Sequence, residues 1–256
     1  MGLFDLFGSK ESAVRRLGQK LVQKYGPPEG RGKAIEQLAQ MGTPEALATL
    51  CLRFTVRTDV GIQDDEEKDR VREILVEAGP AAAAPVREFL AQQESGVAWG
   101  LRVLAALVPP PELLGTVLAL LRRLGQEYAR DPEKKLVLLS WLQEHPDLLA
   151  LAPAGGPTHG EALLPLLDDS VDDVRIGAAR LVSRLPASEE GRAGLIALLL
   201  RDRDNARVRG DVLQALADLG ADVKGHRPDV EGLLVEPFFL DREGRVKRRG
   251  ADPRTA

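Results

Sequence analysis

LLDDSVDDVRIGAARLVSRL, from Leu166 to Leu185, and LLRDRDNARVRGDVLQALADLG, from Leu199 to Gly220, are two copies of one helical phrase. Set thirty-four residues apart, Leu166 aligns with Leu200, Val174 with Val208, Arg175 with Arg209, Ala178 with Val212, Leu181 with Ala215 and Leu185 with Leu219. The apolar matches recur at helical steps, where a strand would alternate every second residue. A fixed period of this length with helical spacing predicts an all-α chain, a right-handed α-solenoid of stacked antiparallel helix pairs.

Working outward, SGVAWGLRVLAALV from Ser95 to Val108 aligns loosely with the same phrase, Val97 with Val174, Gly100 with Gly177 and Leu104 with Leu181. Ser9 reads as the cap of a first helix that Gly26-Pro27-Pro28 ends. A second helix covers about 32–40, Gly42 stops it, and Thr43-Pro44 reads as N-cap and first residue of a third. The stretch from Thr55 to Asp65 lacks a helical pattern and reads as a loop, with Arg57 and Asp59 as its candidate contact residues. Asp64-Asp65-Glu66-Glu67 then opens a helix, where carboxylates complement the partial positive charge of the N-terminus and are expected as solvated caps. The irregular run HPDLLALAPAGGPTH is the best candidate seam. The expected organisation is a helical half over 1–145, clear repeats over 159–235, and a basic hairpin or tail over 236–256. In that last part Asp241-Arg242-Glu243-Gly244 is a plausible turn between strand-type residues.

Two hundred and fifty-six residues, 44% hydrophobic, are enough to build a core without disulfide or metal support. The lone Cys51 sits in an apolar helical context and reads as a core thiol, which fits a reducing, cytoplasmic setting. No apolar run approaches the roughly 20 residues of a membrane span, and MGLFDLFGSKES lacks the pattern of a secretory signal. Thirty-five cations against 39 acids give a net charge of −4, so the global balance offers no general polyanion-binding surface. The Ala-, Leu-, Arg- and Gly-rich composition with a single Asn, Asn205, fits a bacterial source.

The phrases quoted above resemble HEAT repeats, in particular the short bacterial HEAT-like repeats related to phycobilisome-lyase repeats: an acidic turn, Val-Arg, then alternating small and large apolar residues. The resemblance covers about Glu161 to Leu234 and, loosely, Ser95 to Val108. It implies a non-enzymatic scaffold or adaptor that holds a protein partner on a concave helical face. The alternative it leaves open is a nucleic-acid-binding or DNA-repair protein on the same scaffold, since some HEAT-like glycosylases hold an alkylated base with aromatic and acidic residues.

Arg175 and Arg209 each follow an acidic turn, and an arginine there can bridge to the carboxylates of a neighbouring repeat as readily as to a ligand. Trp99 falls at a variable repeat position and reads as packing or as a contact residue. Leu3, Phe4 and Phe7 form an apolar turn suited to capping the first helix pair, to a partner groove or to weak membrane contact. Arg245, Lys247 and Arg248 belong to a C-terminal segment of net positive charge that suits an anionic partner or the acidic body of the chain itself. GPPEGRGKA fails as a phosphate loop, because Pro27 replaces the required glycine and Ala34 the magnesium-holding hydroxyl. The three histidines share no helix face, so no metal set, cofactor or catalytic group is expected.

Overall fold

The computed structural model describes residues 3–25, 27–127 and 131–250, with the side chains of 3–10 outside the described set. Fourteen α-helices and one small hairpin are found among the described residues. The chain divides into two compact units, 1–113 and 114–256.

In the first unit α1 (Leu3–Leu21), α2 (Pro28–Met41) and α3 (Pro44–Cys51) are followed by a 3-10 turn at Leu52–Thr55. Then come α4 (Gly61–Glu77), α5 (Pro80–Gln92) and α6 (Val97–Leu107), and α7 (Pro110–Gln126) carries the chain into the second unit. The helices lie in two layers. One holds α1, α3 and α5, the other α2, α4 and α6, and α1–α2 and α5–α6 pack as pairs across them. Leu21, Leu38, Leu50, Leu75, Leu90 and Leu101 are fully buried between the layers, removing apolar surface from water at about 25 cal/mol per Å². The helix ends follow local chemistry. Thr43 Oγ1 accepts from the Ala46 N–H, and Gly42 ends α2 at φ 57°, a left-handed turn that suits glycine. Helix starts differ from the sequence reading: Ser9 lies inside α1, and α2 begins at Pro28 instead of near position 32.

The second unit continues with α8 (Glu133–Glu144), α9 (Pro146–Leu149) and α10 (His159–Leu163), which runs into a 3-10 turn at Leu164–Asp168. After these come α11 (Asp172–Val182), α12 (Glu189–Arg201), α13 (Ala206–Leu219) and α14 (Arg227–Glu231). α8, α11 and α13 pack side by side as one layer, with the Leu164–Asp168 turn and α12 backing them as the other. The C-terminal segment forms a hairpin. β1 (Phe238–Leu240) pairs antiparallel with β2 (Val246–Arg248), Gly244 takes φ 79° at the turn, and Val246 is buried where β2 meets α13.

The repeat is visible in the polar contacts as well as the phrase. Lys135 to Asp169, Arg201 to the Leu167 carbonyl and Arg248 to Gln214 all join residues thirty-four apart, and Asn205 to Asp172 spans thirty-three. In the first unit, where the phrase is legible only loosely, Arg70 reaches Glu36 over the same thirty-four residues. No helix among the described residues is long and apolar enough to cross a membrane.

Candidate recognition site

Asp64, Glu67 and Lys68 share one face of α4, because residues three and four apart on a helix stand above one another. That face meets Arg53, from the turn after α3, and Arg31 of α2. Arg53 donates Nη2 to Asp64 Oδ1 at 2.7 Å, Nε to Glu67 Oε2 at 2.8 Å and Nη1 to the Val56 carbonyl at 2.9 Å. Arg31 grips Glu67 with Nε and Nη2 at 2.9 and 3.1 Å, and Lys68 Nζ donates to Asp64 Oδ2 at 2.6 Å. Arg53 is fully buried and Asp64 is 3% exposed. Burial works against the Asp64 carboxylate, but bonds from Lys68, Arg53 and the Thr58 N–H outweigh it and hold its pKa below the ordinary carboxylate range.

Desolvating five charges is costly, and the return on such a network is geometric definition more than net stability. Here it fixes a loop. The Val56 carbonyl and the Thr58 N–H are both held from inside, the latter by Asp64 at 2.9 Å. Arg31 Nη1 also donates to the Gln23 carbonyl at 3.3 Å, tying down the end of α1, and Lys24 pairs with Asp59 at 3.9 Å across the gap. What this frame presents outward is apolar: Tyr25 is 81% exposed, Val60 60% and Ile62 78%. Arg57 stands exposed between them in the chain.

One expectation changes at this point. The acids at Asp64 to Glu67 are not all solvated caps: α4 already starts at Gly61, so Asp64 and Glu67 turn inward to the arginines while Asp65 and Glu66 stay exposed. Tyr25, Val60 and Ile62 carried no signal in the sequence, where isolated apolar residues in loops are ordinary.

Of the other residues singled out, Leu3, Phe4 and Phe7 are helical in backbone, and their side chains lie outside the described residues. Trp99 is half-buried, stacked on Phe54 with centroids 5.7 Å apart and with the Arg102 guanidinium 5.1 Å from its ring centroid. Arg175 is buried, donating to Asp202, to Asp172 and to the Asp169 carbonyl, each at 2.7 Å. Arg209 keeps only the equivalent carbonyl bond, to Arg203 at 2.6 Å, and its Nε is buried without a partner. Arg245, Lys247 and Arg248 are brought together on the hairpin, where Arg248 bonds Gln214. Among the described residues no group of His, Cys, Asp and Glu is placed to hold a metal ion.

No family model matches this chain, and no curated protein matches it. A comparison with solved structures returns human deoxyhypusine hydroxylase in complex with glycerol, at 20% identity, covering 88% of this chain and 94% of that one, with a TM-score of 0.29. This finding corrects the expectation of a non-enzymatic adaptor. The protein returned is an enzyme. At that TM-score the likeness assigns no active site here.

Proposed function

We propose that this chain, an array of HEAT-like helix pairs working in the cytoplasm, recognises a protein partner through the surface formed by Tyr25, Arg57, Val60 and Ile62. One observation carries the reading: Val60, at the end of a loop that a buried ion network holds in place, stands exposed, as do Tyr25 after α1 and Ile62 in the first turn of α4. Exposed large apolar side chains on rigid backbone mark contact sites, and a tyrosine supplies large contact area at low entropic cost. Rigid backbone lowers the ordering cost of association. The partner is a protein surface offering an apolar side chain. A polyanion is a poor fit, because Lys24 is already paired with Asp59, and exposed Asp59, Asp65 and Glu66 outnumber the exposed Arg57 in this stretch of the chain. Nothing in this reading requires the chain to lack catalysis.

A photo-crosslinking residue at position 62, compared with one at exposed position 144, tests it in lysate of the source organism. A discrete adduct formed from position 62, absent from 144 and lost in Tyr25→Ser/Val60→Ser with unchanged thermal stability, is the expected result. The same bands from both positions, or none, overturn it.

A further inference from the structure

The second unit holds a groove of about 860 Å³ between the Leu164–Asp168 turn and the N-terminal half of α12. Its floor is Leu164 and Leu185, and Gly194 lets α12 pack closely on the turn: a Cβ there would come within 2.8 Å of buried Leu167. Pro165 and Pro186 make exposed, rigid walls. The volume lies within the range of sites that hold small molecules and single peptide segments, roughly 300–1,000 Å³.

The rim is of one sign. Glu161, Asp168 and Glu190 line it, and among the described residues no lysine or arginine does. The Thr158 N–H and hydroxyl bond Glu161 and hold its pKa below the ordinary value, so it is ionised at neutral pH. Burial lowers the pKa of His159, which leaves that ring neutral and the rim uncompensated from within. Outside the groove, Arg201 pairs with Asp168 and Arg122 approaches Glu161 at 4.0 Å, whereas Glu190 carries no ion pair among the described residues. The Ser188 oxygen accepts from the Gly191 N–H, which leaves its hydroxyl hydrogen for a ligand carbonyl.

From this charge and shape we infer that the groove binds an extended cationic peptide segment, with apolar side chains against Leu164 and Leu185 and a lysine or arginine drawn to Glu190. Charge complementarity selects the occupant: an acidic or neutral segment would bury its apolar side chains equally well but would meet the carboxylate rim without compensation. The site belongs to the second unit and does not rest on the loop surface of the first.

Fluorescence polarisation with a labelled ten-residue peptide of alternating Lys and Leu, and its Glu/Leu counterpart, decides the matter. The expected result is that the Lys/Leu peptide binds, more weakly as salt rises, and that Glu190→Lys and Pro186→Lys each reduce affinity about tenfold or more. Glu144→Lys, which makes the same change in net charge at an exposed residue away from the groove lining, is expected to leave affinity unchanged. The inference is overturned if Glu144→Lys weakens binding as much as Glu190→Lys, if the Glu/Leu peptide binds equally, or if neither peptide binds at millimolar concentration.

Discussion

Arg175 of α11 donates its Nε to Asp202 Oδ2 at 2.7 Å, twenty-seven residues further on, at the end of the helix that opens the next repeat. Its other two nitrogens satisfy Asp172 and the Asp169 carbonyl of its own repeat, so one buried guanidinium sews two repeats together. Arg209, its repeat mate, retains a single bond. The two arginines are therefore unequal. Arg175→Ala leaves the largely buried Asp202 with Arg201 alone and is expected to cost about 3 kcal/mol, the range for a broken buried pair. Arg209→Ala is expected to cost about 1 kcal/mol, the value of one ordinary hydrogen bond. Urea unfolding of the two variants under the same conditions checks the ranking.

Asp64 accepts from Arg53, Lys68 and the Thr58 N–H, and Asp64→Asn leaves three buried cations facing Glu67 alone. A loss of about 3–5 kcal/mol is expected. Because the folded-state pKa of Asp64 is depressed, its contribution is complete at neutral pH and is lost as pH falls through the ordinary carboxylate range and below. Urea midpoints measured from pH 7 down to about pH 2.5 should drop steeply on the acid side for the native chain and less so for Asp64→Asn. Crosslinking from position 62 should weaken in the same variant, since the loop loses its inner anchor.

Cys51 lies buried in α3 with Sγ donating to the Leu47 carbonyl at 3.4 Å, and burial pushes its pKa up to about 12. With almost no thiolate present near neutral pH, the native chain should resist a water-soluble disulfide reagent. Release of one equivalent of chromophore only on adding denaturant is the expected outcome. Rapid labelling of the folded chain would show that α3 opens.

Gly96 and Gly42 both take positive φ, but they differ in what surrounds them. A Cβ on Gly96 would stand 2.6 Å from the Phe54 carbonyl oxygen, whereas on Gly42 the nearest atom is 3.8 Å away. Gly42→Ala should cost about 1 kcal/mol of backbone strain alone. Gly96→Ala should cost more, about 2–3 kcal/mol, as the 3-10 turn carrying Phe54 is pushed from α6. Thermal unfolding of both variants separates the two terms.

Much of the helical architecture is a local property and was legible in the sequence. The spacing of Val174, Ala178 and Leu181 sets the buried face of α11, Thr43 and Gly42 mark their helix ends, and Gly244 marks the hairpin turn, because each rests on backbone geometry and bonds within a few residues. The alignment of Arg175 with Arg209 pointed to a bridge between repeats, but only folding distinguished the two, since the outcome depends on whether a following repeat supplies a carboxylate. The recognition surface was invisible for the same reason. Asp64 and Asp65 are adjacent and chemically identical, yet one is buried against Arg53 and the other stands in water. That choice belongs to the packing of α2, α3 and α4, elements whose partners lie fourteen and thirty-six residues apart, and no local pattern encodes the burial of a charge.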